Sequence, residues 1–474
     1  MKLSLIPYPS KITYLNGFSK TDAQIIKITD TSVSKESFRL HIENSITIEA
    51  ADAAGFYYAE LLLEQIKFQC GQNLPNVHIE DSPRYEFRSF MVDCCRHFFD
   101  VDTLKEMIEY CAKLRFNVFH WHITEDQGWR PEIKAYPELI ETGSVRFGSN
   151  FGKEQTDEPY SGHFTQDEMR EIVEFAYEHH MQVVPELDMP GPTSALLASL
   201  PHLVCGGKQV DIKTTGGIFK DIICAGKESS YETLFKILDE ICDIFPDEYI
   251  HIGGDEAPKV QWKNCPDCQR KIKEENLKNE EELQGYFINR IASYLESKGK
   301  KVITWNESLN SGILSKDIVV QMWMDPKKLS KKSPNKLIAS DFYHRYVDYP
   351  YHMTPLKKVY NYNTDINKNV IGTDIPIWTE YVSSFEYMQY MCFPRYIAAA
   401  QAGWSKTRPN YKVFKSHLKE LLPWFGIEHC AKEEEWDPPT PSRIKQTINH
   451  FGRNCPNATI RNFFLNKEEQ EEKK

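Results

Sequence analysis

The rhythm of hydrophobic positions changes near residue 83. Before it, short alternating runs such as Ser45-Ile46-Thr47-Ile48-Glu49 predict strands. Asp52 to Phe68 predicts a helix, with Ala53, Phe56, Tyr57 and Leu61 on one face. Asp81-Ser82-Pro83 marks a boundary, so residues 1–83 read as a small N-terminal α+β domain. From Phe87 onward, apolar runs of strand length alternate with segments of helical period. The expected strands are Phe87–Asp93, Asn117–Ile123, Met181–Leu187, Glu248–Gly254, Lys301–Trp305, Ile318–Trp323, Lys336–Ser340 and Val370–Trp378. Helices are expected over Thr103–Leu114, Asp167–His180, Tyr231–Ile244 and Glu281–Leu295. Eight strands with intervening helices predict an α/β fold, a (β/α)8 TIM barrel over residues 84–430. Between Asp325 and Asn369 no clear helical period is present. Residues 431–474 turn polar and end in Lys467-Glu-Glu-Gln-Glu-Glu-Lys-Lys474, which predicts a solvated, partly disordered C-terminal extension.

In such barrels the reactive groups stand at the C-terminal ends of the strands. Here, strand after strand ends in polar or aromatic residues: Asp93 then Arg96-His97; His120-Trp121-His122-Ile123-Thr124-Glu125-Asp126; Pro185-Glu186-Leu187-Asp188; His251-Ile252-Gly253-Gly254-Asp255-Glu256; Trp305-Asn306-Glu307; Trp323; and Trp378-Thr379-Glu380. A core requirement explains one such ending, not seven. Cleavage of a glycosidic bond needs an acid for the leaving oxygen and a group that stabilises positive charge at the anomeric carbon. Two adjacent carboxylates repel, so one of Asp255 and Glu256 is expected to keep its proton near neutral pH, as a general acid must. An isolated Asp-Glu pair is more often a solvated loop or a helix start, and a single tryptophan is more often core. Three tryptophans (Trp305, Trp323, Trp378) at barrel-strand ends can instead wall a sugar pocket.

The formal net charge of -11 argues against nucleic acid or an anionic membrane as the main partner. Pro7, Pro9 and Lys11 interrupt any secretory leader at the N-terminus shown, and no window has the length of a membrane span. The twelve cysteines lie mostly in apolar runs, as reduced thiols do. A cytoplasmic protein is therefore expected. Metal readings are weaker. His120-x-His122 with Glu125 and Asp126 has zinc-ligating chemistry, yet strand histidines are commonly satisfied by hydrogen bonds. Cys265-x-x-Cys268 has knuckle spacing, but no second pair stands at a suitable sequence distance. The expectation is no metal and no organic cofactor.

These motifs, from Ile6-Pro7-Tyr8-Pro9 to about Ser405, resemble glycoside hydrolase family 20, the β-N-acetylhexosaminidases. The carrying motifs are Arg96-His97-Phe98, His120 to Gln127, Val184 to Gly191, His251 to Glu256, Trp305-Asn306-Glu307 and Ile377-Trp378-Thr379-Glu380. The resemblance implies an exo-acting enzyme that releases terminal non-reducing β-linked GlcNAc or GalNAc with retention, the substrate's own acetamide serving as nucleophile through an oxazolinium intermediate. It implies Glu256 as acid and then base, Asp255 as partner of the acetamide N–H, and Tyr346 as partner of the acetamide oxygen. It places Arg96, Asp348 and Glu380 against sugar hydroxyls, with Trp305, Trp323 and Trp378 around the ring, and Tyr362 in place of an outer stacking tryptophan. His122, Asp126 and Asp188 complete the expected site. Two departures stand out. Pro192 replaces the usual histidine after Pro190-Gly191, so no imidazole there can tune the acid through Asp126, which leaves His122 or water to do so. Gln401 replaces a usual glutamate. The alternatives are a non-catalytic glycan-binding barrel, a disaccharide-releasing relative of the same family, and metal-dependent hydrolysis.

Overall fold

The computed structural model describes residues 2–325 and 329–454. The N-terminal part is a five-stranded sheet in the order Lys11–Lys20, Asn73–Asp81, Phe38–Glu43, Ser45–Ala50, Ile25–Thr29. One helix, Ala53–Cys70, covers it. Asp52 caps that helix by accepting from the Gly55 N–H. The buried positions are Gly55, Tyr58, Ala59, Leu61, Leu62, Leu63, Gln65 and Ile66; of the expected face Leu61 is buried, Phe56 and Tyr57 are half-buried against the same core, and Ala53 is exposed.

Eight parallel strands then close a barrel: Phe87–Asp93, Val118–His122, Gln182–Glu186, Tyr249–His251, Lys301–Trp305, Val319–Met322, Leu337–Ala339 and Val370–Ile377. The eighth pairs with the first from Gly372↔Phe87 to Ile377↔Val92. Each lies within the run its hydrophobic pattern marked. The period of two along a strand sets what fills the barrel. Phe87, Val118, Val184, Tyr249, Ile303, Val319 and Ile338 form one apolar plug at the N-terminal end. Two residues further along five of these strands stand His120, Glu186, His251, Trp305 and Gln321. The barrel interior therefore changes from apolar to polar within a single residue pair, below the mouth.

Amphipathic helices wrap this barrel, among them Val101–Lys113, Gln166–Glu178, Glu228–Ile244 and Glu280–Ser297. After the seventh strand they shrink to the short helices Phe342–Arg345 and Leu356–Asn361, too short to show a helical period. A hairpin, Val145–Phe151 with Glu154–Ser161, rises from the loop after the second strand and was not foreseen. It packs beside the mouth, where Glu154 Oε2 lies 2.7 Å from His97 Nε2.

Buried ion pairs join the two parts: Arg88 to Glu36 at 2.8 Å and Arg115 to Asp81 at 2.8 Å, with the Trp404 indole donating to the same Asp81. Gln401, buried, accepts from the Tyr8 N–H and donates to the Tyr8 carbonyl. The family's glutamate would lack that second donor. Up to residue 454 the C-terminal extension is folded, with Trp436 buried, and its helix Thr440–Arg453 stays largely exposed to solvent. The disorder expected further on lies outside the described residues. Among the described residues, no helix is long and apolar enough to cross a membrane.

Candidate active site

The site starts from a carboxylate with four neighbours. Glu186, fully buried at the end of the third strand, lies 3.0 Å from His120 Nε2, 2.6 Å from His122 Nδ1 and 2.9 Å from His251 Nδ1, and accepts from the Trp305 indole at 2.6 Å. Burial opposes its charge, but His251, His122 and His120 outweigh burial and hold its carboxyl well below the usual range. Burial likewise opposes charge on the imidazoles, yet Glu186 and further carboxylates raise His120 to about 9 and His122 to about 10. His120 Nδ1 also lies 3.0 Å from Asp374, which accepts from Gln321. His120 and His122 thus belong to a hydrogen-bonded chain across the barrel, with Glu186 at its centre.

Above this base, the chain turns sharply at the end of the fourth strand. Gly253 and Gly254 have φ of +63° and +99°. A Cβ on Gly253 would lie 2.2 Å from Asp188 Oδ1, and one on Gly254 would lie 2.6 Å from Ser308 Oγ and Thr304 Oγ1. Only glycine lets the strand end pass so close to its neighbours. Glu256 itself takes a left-handed φ of +42°, a conformation that costs about 1–3 kcal/mol for a non-glycine residue and clusters at functional sites.

This turn puts Asp255 and Glu256 in a crowd of acids. Burial, then Glu125, pushes Glu256 up to about 7, with Glu307 and Glu380 adding and Arg96 opposing. Burial, then Glu307 and Glu256, pushes Asp255 well above the usual carboxylate range. Asp188 is raised by burial, Glu186 and Asp255, and Asp348 by burial and Glu380, the latter to about 8. Asp255 Oδ1, both Asp188 carboxylate oxygens and Asp348 Oδ1 are buried without a hydrogen-bond partner among the described residues.

An arc of rings faces these acids. Tyr346 stacks on Trp323 at 6.2 Å and tilts against Trp378 at 6.0 Å; Trp378 in turn lies 6.1 Å from Trp305. Burial, then the Asp255 carboxylate, pushes the Tyr346 phenol up. The Trp323 indole donates to Glu307 at 2.8 Å, and Asn306 Oδ1 accepts from the Trp323 N–H. Arg96 stands over the face of Trp378 at 5.1 Å and reaches Asp93 at 3.1 Å, Glu125 at 3.0 Å and Glu380 at 3.7 Å.

Two expected residues stand elsewhere. Tyr362 is buried, stacked on His344 at 4.8 Å and packed over Arg345 at 5.1 Å, so it offers no outer platform. It follows directly on the short helix Leu356–Asn361, whose end turns it inward. Asp126 does not reach His122 in the described contacts; it accepts from the Ser194 N–H at 2.7 Å, and burial with Glu125 raises it to about 7. The loop through Pro192 thus supplies a backbone donor where the family has an imidazole. His122 instead lies 3.3 Å from Glu125 and 3.6 Å from Asp188. From sequence, Glu186 and Glu307 carry no expected role, and Glu125 only a metal-ligating one. The inward phase of its strand marks Glu186, whereas Glu125 and Glu307 lie past the strand ends, in the short strand Thr124–Glu125 and the turn Asn306–Ser311.

The sequence profile of "Glycosyl hydrolase family 20, catalytic domain" matches residues 85–407. A β-hexosaminidase of Porphyromonas gingivalis is 36% identical over 352 residues, 70% of this chain but 44% of that protein. A β-hexosaminidase of Akkermansia muciniphila is 30% identical over 431 residues, 85% of this chain and 86% of its own length. The crystal structure of a β-N-acetylhexosaminidase from Bacteroides fragilis superposes with a TM-score of 0.81 at 30% identity, covering 92% of this chain and 99% of the other. The chain thus spans less than half of the first relative and nearly all of the other two. With the profile matched across the whole closed barrel and the acid pair at its mouth, the chain belongs to glycoside hydrolase family 20.

Proposed function

We propose that this glycoside hydrolase is an exo-β-N-acetylhexosaminidase, removing a terminal β-linked GlcNAc or GalNAc from the non-reducing end of a glycan with retention of configuration. The carrying observation is the half-buried pair Asp255–Glu256, both held above the usual carboxylate range beside the Tyr346–Trp378 rings. In this reading residues 84–430 are the catalytic barrel and residues 1–83 a supporting domain.

Glu256, with its proton, protonates the glycosidic oxygen as the acetamide oxygen attacks the anomeric carbon; the bond to the leaving group breaks and an oxazolinium forms. The Glu256 carboxylate then takes a proton from water, whose oxygen opens the oxazolinium on the face the leaving group left. Asp255 accepts from the acetamide N–H. The neighbouring acids that resist its ionisation in the free site favour the positive charge the intermediate brings. Tyr346 donates to the acetamide oxygen, and the indoles of Trp323 and Trp378 enclose the acetamide and pyranose, with Trp305 beneath them. Arg96, Asp348 and Glu380 bind hydroxyls, with Asp188, His122 and Asp126 behind them. This chemistry requires no metal.

The test is a panel of aryl β-glycosides of GlcNAc, GalNAc and plain glucose. Cleavage of both N-acetyl sugars and not of glucose is expected. A trifluoroacetamido sugar should react more slowly, because its amide oxygen is the poorer nucleophile. Comparable rates on plain glucoside would refute the acetamide role.

A further inference from the structure

On the outer side of the acid-bearing loop, four cysteines meet. Cys205 opens the short turn Cys205–Gly207, and Cys224 lies on the return run of the same loop, after the third barrel strand. Cys265 and Cys268 flank Pro266-Asp267 at the start of helix Pro266–Glu274, in the loop after the fourth strand. The four sulfurs all lie within 4.8 Å of one another. Cys224 is 3.7 Å from both Cys265 and Cys268, and Cys205 is 3.9 Å from Cys268. None is bridged. Cys224, Cys265 and Cys268 are buried and Cys205 is half-buried.

Distance decides what such a cluster suits. A disulfide needs sulfurs about 2.05 Å apart. Four thiolates about 2.3 Å from a zinc ion at the centre of a tetrahedron stand about 3.8 Å from one another. An iron–sulfur cluster interposes its own atoms and holds the cysteines further apart. The measured separations match the zinc tetrahedron. A buried thiol that merely fills space needs no such company: Cys94 instead accepts from the Trp121 indole at 3.4 Å.

The backbone is also shaped for this meeting. Gly206 and Gly207, directly after Cys205, have φ of +78° and +66°. A Cβ on Gly226, two residues after Cys224, would lie 2.1 Å from the Asp267 carbonyl carbon and 2.3 Å from the Cys268 nitrogen. Only glycine allows these two loops to close on each other.

We propose that Cys205, Cys224, Cys265 and Cys268 bind one zinc ion that staples the loop after the third strand to the loop after the fourth. The Cys265-x-x-Cys268 pair that lacked a partner in sequence finds it across a loop of the fold, and the expectation of no metal is revised accordingly. The staple closes a layer just behind the mouth: the Ile223 N–H donates to the Pro190 carbonyl at 2.8 Å, and the Trp262 indole donates to the Ile223 carbonyl at 2.9 Å. Gly191 packs on Ile222 and faces Ala257, the residue after Glu256. The ion's task is to hold the acid-bearing loop, not to touch substrate.

The experiment uses the full chain, purified under reducing conditions without chelator. Elemental analysis should find about one zinc per chain, and zinc-edge X-ray absorption should show four sulfurs at about 2.3 Å. Cobalt exchanged into the site should give tetrahedral d–d bands with thiolate charge transfer. Cys224→Ser with Cys265→Ser should abolish metal uptake, whereas Cys70→Ser, in the N-terminal helix, should leave it intact. Wild-type protein that contains no metal and takes up none, iron in place of zinc, or a nitrogen or oxygen shell would overturn the proposal. The wild-type spectra decide it even if the double variant fails to fold.

Discussion

Glu256→Gln separates the acid's chemistry from its electrostatic cost. The substitution keeps shape and removes the proton. On a substrate with a poor, sugar-like leaving group, the lost protonation should cost about 10²–10⁴-fold in kcat/KM, or about 3–5 kcal/mol of transition-state stabilisation. On an aryl glycoside that leaves unaided, the first step should fall far less. In the wild type, a carboxyl raised to about 7 is protonated below that pH and ionised above it. The kcat/KM for poor leaving groups should therefore fall as pH rises through 7, with a tenfold loss per unit beyond, and the variant should lack that limb. Stability carries the opposite sign. A carboxyl raised from 4.5 to about 7 stabilises the folded state below its unfolded value and loses that contribution as pH rises through 7. At pH 8 ionised Glu256 thus costs up to about 3 kcal/mol, at 1.36 kcal/mol per unit. The variant should melt several degrees higher than wild type at pH 8 and nearly together with it at pH 4. Rates measured across a leaving-group series, with thermal melts at both pH values, test both halves. Equal loss on good and poor leaving groups, or a stability gain independent of pH, would refute the reasoning.

Because Glu125 raises Glu256 and Arg96 lowers it, Glu125→Gln should move the basic limb of the kcat/KM profile to lower pH, and Arg96→Gln, which removes the cation, should move it higher while weakening substrate binding. Gly254→Ala, at φ of +99° and 2.6 Å from two hydroxyl oxygens, should cost about 1–3 kcal/mol in denaturant unfolding and reduce activity about 100-fold through misplaced acids. Asp81→Ala, which leaves Arg115 buried without its carboxylate, should cost about 3–5 kcal/mol by the same unfolding assay while the folded enzyme keeps its KM.

The strands and the chemistry at their ends were legible because both follow local rules. An apolar run of strand length bounded by polar residues admits few alternatives, and the period of two tells which side chains point inward. His120, Glu186, His251 and Trp305 share one inward layer for that reason. Helical period likewise announced the long wrapping helices, and failed after the seventh strand, where helices of four and six residues carry none. What local rules do not contain is which loop meets which. Asp126 binds the Ser194 N–H and not an imidazole because a loop that begins sixty residues later folds over it. Tyr362 turns into the core because the short helix before it aims it there. The clearest case is Cys265 and Cys268, whose partners Cys205 and Cys224 stand on another loop and become neighbours only when adjacent barrel strands bring the two loops side by side. Spacing along the chain reports the elements; proximity between distant segments is set by closure of the barrel, and no periodicity encodes it.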